Sequence, residues 1–269
     1  MTSYRGTFLG KKSEYTELYD NSLLFPISRT LKRNELGMSA NTPVFGHDVW
    51  NAYEISWLRS DGRPEVSMAE IIYSAQSEFI IESKSLKLYL NSFNGTVFTS
   101  PQHVKDTIQK DMSDKLNTDV QVKLIPLETK VTYMTPPGVS IDDFYSNAVE
   151  NKKLAAIEGT RVFKEKLFTN LLKSNCPVTM QPDWGTLMLT YSGNKINYAS
   201  LLNYIISLRG LNEFHEQCIE KIYMDIYHTC KPEYLEVYAR YTRRGGVDIN
   251  PYRCSEKSEA PLNYRVQRQ

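Results

Sequence analysis

Hydrophobic and polar positions along this 269-residue chain follow two alternating periods, and the switches between them mark out its elements. Trp50 to Leu58 and Glu65 to Ser74 are rich in residues that fit a pleated surface, and Asp61-Gly62-Arg63-Pro64 between them has turn chemistry. They predict an antiparallel strand pair. The period then lengthens. Leu86, Tyr89, Leu90 and Phe93 recur at helical spacing and Asn94-Gly95 ends the run, while Val104, Ile108 and Met112 predict a second, more polar helix over Pro101 to Leu116. Val120 to Leu127 alternates again, as a strand does.

The breakers and acids of Met134-Thr135-Pro136-Pro137-Gly138 through Asp142-Asp143 predict a boundary, giving domains 1–135 and 136–269. Beyond it the order repeats. Arg161 to Leu172 and Trp184 to Ser192 predict paired strands, Tyr198 to Leu208 and Asn212 to Cys230 predict helices, and Tyr234 to Thr242 predicts a closing strand after the breaker Pro232. The first forty residues are polar and turn-rich around the island Leu23-Leu24-Phe25-Pro26-Ile27, and read as an arm laid over the body. The expectation is an α+β protein of two similar modules.

The formal net charge is +1, without the basic excess of a non-specific nucleic-acid or anionic-membrane binder. No run approaches the roughly 18–20 apolar residues that span a bilayer, and Met1-Thr2-Ser3-Tyr4-Arg5-Gly6 opens no apolar signal core. Cys176, Cys218, Cys230 and Cys254 form no CxxC pair, so reduced thiols in a cytoplasm are expected. The spacings from His215 to Cys218 and from His228 to Cys230 lack the paired signature of structural zinc, and no metal is expected.

Four segments could carry chemistry. Cys176 lies in a proline-stiffened run, Cys176-Pro177 to Pro182-Asp183-Trp184, where a thiolate nucleophile could be held in place with Asp183 as proton donor; a small buried hydrophobe is the bland reading. His215 and Glu216 follow Phe214 at a helix start, where a carboxylate could grip a guanine-like edge or simply suit the helix dipole. Glu82-Ser83-Lys84-Ser85-Leu86-Lys87-Leu88-Tyr89 stands at a strand-to-helix junction that could take a phosphate or be an ordinary cap. Arg243-Arg244-Gly245-Gly246 could let a phosphate approach the backbone, or be a solvated turn. Neither GxGxxG nor GxxxxGK[ST] occurs.

Taken jointly, the Glu82–Tyr89 run, Cys176-Pro177-Val178-Thr179 through Asp183-Trp184, Phe214-His215-Glu216 and Arg240-Tyr241-Thr242-Arg243-Arg244-Gly245-Gly246 resemble the nitrile oxidoreductases that act on 7-cyano-7-deazaguanine, the QueF family, in its long form. The matches span about residues 23 to 254; Ser28 stands where a second proline is expected, and the last fifteen residues match no motif.

The resemblance implies two tandem tunnel-fold modules, antiparallel sheets with helices on the outer face, paired as a homodimer. It implies that Cys176 captures the nitrile as a thioimidate, that Asp183 is the general acid, and that two NADPH molecules in turn complete a four-electron reduction to the aminomethyl product for queuosine in tRNA. Ile81, Glu82, Ser83, His215 and Glu216 then hold the deazaguanine, His215 beside the reacting group, while Ser83, Lys84, Arg244 and Gly245 contact NADPH. No direct nucleic-acid or membrane contact is implied. The rivals are a Cys-dependent nitrile hydrolase, which needs no NADPH, and a non-catalytic purine or pterin binder, which needs no Cys176.

Overall fold

A computed structural model describes residues 15–39, 41–148 and 153–269, so the start of the expected arm, residues 1–14, lies outside the described residues. The described chain forms two compact units. One takes residues 15–31, 49–131 and 243–249, and the other takes the described residues within 32–48, 132–242 and 250–269.

In chain order the elements begin with β1 (Pro26–Ser28), α1 (Thr30–Glu35), β2 (Phe45–Leu58), β3 (Pro64–Ser74), β4 (Phe79–Ile81), α2 (Ser83–Asn91), α3 (Pro101–Leu116) and β5 (Val120–Ile125). In the first unit β3 pairs antiparallel with β5, from Tyr73 opposite Val120 to Met68 opposite Ile125. Its core joins these strands to α2 and α3 through Trp50, Trp57, Ile71, Leu86, Tyr89, Phe93, Ile108 and Met112. Along β2 the core positions pass from Trp50 and Ala52 to Ile55 and Trp57. Between these two inward sets Glu54 is exposed. The helix α3 is bounded as its sequence predicts: the Ser100 hydroxyl accepts the His103 N–H at 3.1 Å, and Asn117 closes it at φ 51°.

The second unit contains β6 (Val139–Ser140), β7 (Ala156–Asn175), β8 (Pro182–Ile196), α4 (Tyr198–Ser207), α5 (His215–Cys230), β9 (Tyr234–Tyr241) and the end of β10 (Val247–Cys254). The strands β7, β8 and β9 pair antiparallel and β6 runs parallel to β7. Leu187, Leu189, Val237, Ala239 and Tyr241 meet Leu201, Leu202, Ile205, Cys218, Ile219 and Ile222 of α4 and α5 in one core. The opposite face, Met188, Tyr238, Tyr252 and Cys254, is met by Tyr264. Both halves thus show the expected order of two strands, two helices and a strand, set in an α+β fold of largely antiparallel sheets. The strand β4 is the one expected before the Glu82 junction, while β1, β6 and β10 are not foreseen in the sequence. All eight residues of β10 are buried, so it lacks the alternation by which a half-exposed strand is read.

Charge is buried beneath α5. The Arg253 guanidinium, fully buried, meets Asp48 at 2.8 Å and Glu220 at 3.0 Å, and Arg33 closes on the same Glu220 at 2.6 Å. Removing one member of such a set strands the rest in a low-dielectric interior. Arg253→Ala is therefore expected to lower unfolding free energy by about 3–5 kcal/mol, measured by urea denaturation; a loss below about 1 kcal/mol would show the carboxylates to be solvated.

Candidate active site

The strand β7 runs three residues past its expected end, to Asn175, because its pairing with β8 continues to Ser174 opposite Asp183 and Asn175 opposite Pro182. Cys176 is thus the first residue of the connecting turn, which closes on itself. The Cys176 N–H donates to the Gln181 carbonyl at 2.9 Å, and the Met180 N–H returns to the Cys176 carbonyl at 3.1 Å. Met180 takes φ 58° to allow this. Cys176 and Asp183 are both buried, at 3% and 6% exposure, at the same end of one hairpin.

The helix α5 begins at His215, three residues later than its periodicity predicts. The cause is pairing: the Asn175 N–H donates to the Leu211 carbonyl at 2.8 Å, the Glu213 N–H donates to the Asn175 carbonyl at 3.1 Å, and the Asn175 amide donates to the Asn212 side chain at 3.0 Å. A segment whose backbone is committed to a strand end cannot turn into helix. It releases the chain at Phe214, and Gln217 reaches back to accept the Phe214 N–H at 3.3 Å. His215 and Glu216 fall in the first turn, where the dipole favours a carboxylate.

His215 Nε2 lies 3.5 Å from Asp183 Oδ2, and the imidazole faces the Tyr241 ring with centroids 4.0 Å apart and planes 36° apart. Behind them Ser174, Cys218 and Tyr241 are completely buried. Burial pushes the Cys218 thiol up to about 11, as it does Cys230, and pushes the Tyr241 phenol well above its ordinary range. These groups are neutral at pH 7. All four cysteines are free thiols. Among the described residues no three His, Cys, Asp or Glu side chains gather as a metal would need.

In the first unit Glu82 is the N-cap of α2. Its two carboxylate oxygens accept the Lys84 and Ser85 N–H groups at 2.9 and 2.8 Å, and its own N–H donates to the Phe25 carbonyl at 2.9 Å. Ile81, Glu82 and Ser83 therefore form the junction of β4 and α2, fixed by the pairing of Ile81 with Pro26. Full burial raises the Glu82 pKa above its ordinary value, against the pull of those two N–H groups and of the Lys87 and Lys84 charges.

Arg244 opens the turn into β10: its N–H donates to the Val247 carbonyl at 2.9 Å around Gly245 and Gly246, at φ 60° and 74°. Two successive left-handed residues are what a two-residue hairpin turn requires. Gly245 and Gly246 line a cleft of about 610 Å³ with Tyr53, Glu54, Lys87 and Asn91. A Cβ on Gly245 would lie 3.3 Å from Lys87 Nζ, and one on Gly246 would collide with the Glu54 carboxylate. Of the expected cofactor residues only Gly245 lines this cleft; Ser83, Lys84 and Arg244 do not.

The second unit thus brings Asp183 and His215 together, with Cys176 and Glu216 on the flanking turn and helix. The first unit joins Ile81, Glu82, Ser83 and Lys84 at one helix start and sets Arg244 and Gly245 in a turn. The sequence reading assigns no role to Tyr241 or Lys87. The i,i+3 spacing of Lys87 from Lys84 is a legible signal. Tyr241 is legible only as a member of the Arg240–Gly246 motif, and its place beside His215 is not.

A family model described as nitrile reductase, 7-cyano-7-deazaguanine-reductase N-term, matches residues 15–124, and one described as QueF-like protein matches residues 182–260. Two curated relatives, both named NADPH-dependent 7-cyano-7-deazaguanine reductase, align over almost the whole chain. That of Desulfotalea psychrophila is 48% identical over 270 residues and 98% of each chain. That of Paraburkholderia phytofirmans is 49% identical over 269 residues and 97% of each chain. The solved archaeosine synthase QueF-Like in the apo form gives a TM-score of 0.31 at 19% identity, over 37% of this chain and 95% of that one, too weak a likeness to carry an argument.

The Glu82 environment has a measurable consequence. A carboxyl whose folded pKa is raised stabilises the fold below its unfolded pKa, near 4.5, and loses that contribution as pH rises through the folded value. Glu82→Gln cannot ionise. Urea midpoints are expected to fall for the wild type relative to Glu82→Gln as pH rises from about 4.5 towards 7; a difference moving the other way would mean that the backbone donors outweigh burial.

Proposed function

The chain belongs to the NADPH-dependent 7-cyano-7-deazaguanine reductases, and from that premise we propose how its own residues carry out the reduction. It is an oxidoreductase that uses NADPH to reduce the nitrile of 7-cyano-7-deazaguanine. We propose that the two units are tandem tunnel-fold modules, that the chain works as a cytoplasmic homodimer, and that its aminomethyl product feeds queuosine synthesis.

The observation that carries the mechanism is the hairpin end that holds Cys176 and Asp183, with the carboxylate 3.5 Å from the His215 imidazole. A nitrile carbon is a poor electrophile until a nucleophile adds to it and a proton reaches its nitrogen. Cys176 Sγ adds to that carbon while Asp183 delivers the proton, leaving a thioimidate. The closed turn fixes the sulfur before the ligand arrives. The neutral, fully buried Cys218 is unsuited to that task. His215 lies beside the reacting group and moves or holds a proton at its Nε2. Glu82 and Glu216 accept from the N–H groups of the deazaguanine, with the Ile81 and Ser83 backbone beside it. Burial of Cys176, Asp183 and Glu216 keeps water, which would hydrolyse the thioimidate, away from the reacting group.

NADPH, when bound, supplies hydride to the activated carbon, and the four electrons between nitrile and amine require two equivalents. The residues of the first unit fit such a ligand. Gly245 has no Cβ where Lys87 Nζ approaches, so a phosphate can meet both the turn backbone and an ammonium. Ser83 and Lys84 at the start of α2 and Arg244 at the turn do not line that cleft, and there they offer the cofactor a hydroxyl, an ammonium and a guanidinium.

NADPH consumption on 7-cyano-7-deazaguanine tests this assignment. Cys176→Ala is expected to abolish it, and Asp183→Asn, which keeps shape but cannot donate the same proton, to slow it by about 100-fold or more. Two NADPH oxidised per nitrile is the expected stoichiometry. Full activity in Cys176→Ala would remove covalent capture, and activity within about two-fold in Asp183→Asn would remove its role as acid.

A further inference from the structure

We infer that Tyr241 is a positioning residue for His215, its ring forming the wall that holds the imidazole plane beside Asp183. The inference rests on the proposed place of His215 at the reacting group. A histidine ring turns about a soft, broad torsion, so the backbone alone does not aim its nitrogens. Packing has to do so. On one side of the imidazole stands the Asp183 carboxylate, 3.5 Å from Nε2. On another stands the Tyr241 ring, at 4.0 Å between centroids and 36° between planes.

The seat of that ring is built by its neighbours. Tyr241 pairs with Gly185 across β8 and β9, and a Cβ on Gly185 would come within 3.2 Å of Tyr241 Cδ1 and 3.1 Å of Leu172 Cδ2. The tyrosine ring therefore lies where residue 185 has no side chain, two positions along β8 from Asp183 and on the same face. Its backbone is pinned at both ends. The Tyr241 N–H donates to Asn250 Oδ1 at 3.1 Å, and the Tyr241 carbonyl accepts from Gln269 Nε2 at 3.0 Å. The hydroxyl is completely buried beside Ser174 and Cys218, which directs the tyrosine's contribution to its ring face rather than to proton transfer.

A double-mutant cycle separates positioning from mere packing. Steady-state NADPH oxidation on 7-cyano-7-deazaguanine is measured for wild type, Tyr241→Phe, Tyr241→Leu, His215→Ala and the Tyr241→Leu/His215→Ala double variant. Tyr241→Leu is expected to lower kcat by about 10-fold with little change in KM, since a misplaced group costs rate more than binding. Tyr241→Phe, which keeps the ring, should stay within about two-fold, and Tyr241→Leu should cost less than about two-fold once His215 is absent. Gly185→Ala, which presses on the same ring, should lower kcat in the same direction and also lose its effect without His215; it carries the test if Tyr241→Leu does not fold. A cost that persists undiminished in the His215→Ala background would overturn the inference, as would a Tyr241→Phe variant as impaired as Tyr241→Leu. A wild-type protein that consumes no NADPH on the nitrile would overturn both this inference and the reading beneath it, and shows itself before any substitution is made.

Discussion

The three hydrogen bonds between Asn175 and the segment Leu211–Glu213 are the constraint on which the second unit's site depends. They tie the last residue of a 20-residue strand to the approach of a helix some 36 positions later. Cys176 is the next residue on one side of the tie, and Phe214, His215 and Glu216 follow on the other. With the tie in place, Cys176 and the start of α5, with His215 and Glu216, are held at the same end of the β7–β8 hairpin. The same tie explains why α5 starts late: its first turn must not begin until the backbone groups of Leu211 and Glu213 have been spent on Asn175.

Buried charge does the complementary work of holding that helix down. Glu220 lies one turn beyond Glu216 and receives both Arg33 and Arg253, while Lys32 pairs with Glu213. Ion pairs of this kind add little net stability compared with apolar packing, yet they tolerate few alternative arrangements. The segment around α1, polar in sequence, is thereby recruited as a brace for the start of α5. Glu82 shows the same economy in the first unit, where one carboxylate caps α2 and is also proposed to face the ligand.

Much of this is legible in the sequence, and the illegible parts have physical reasons. Pro101 to Leu116 is predicted to the residue from the spacing of Val104, Ile108 and Met112, and Ser100 and Asn117 cap it at those bounds. The Cys176, Asp183, His215 and Glu216 set can be proposed from motif resemblance, although periodicity alone leaves each with a bland alternative. Other features are not readable. The strand β10 is buried on both faces and so does not alternate. The inward set of β2 changes parity in mid-strand. The Arg244–Val247 turn reads equally as a phosphate approach or a solvated charge pair, and its left-handed glycines with their neighbours Lys87 and Glu54 are not legible in the sequence. The role of Tyr241 depends on an empty position across the sheet, at Gly185, and cross-strand register is not written in either residue.

Cys176 is proposed to bond covalently to the nitrile carbon before any hydride arrives. Intact mass of the protein mixed with 7-cyano-7-deazaguanine in the absence of NADPH tests it most directly. An added mass equal to the whole ligand is expected, absent in Cys176→Ala and discharged when NADPH is supplied. A protein that binds the ligand yet keeps its unmodified mass would contradict covalent capture.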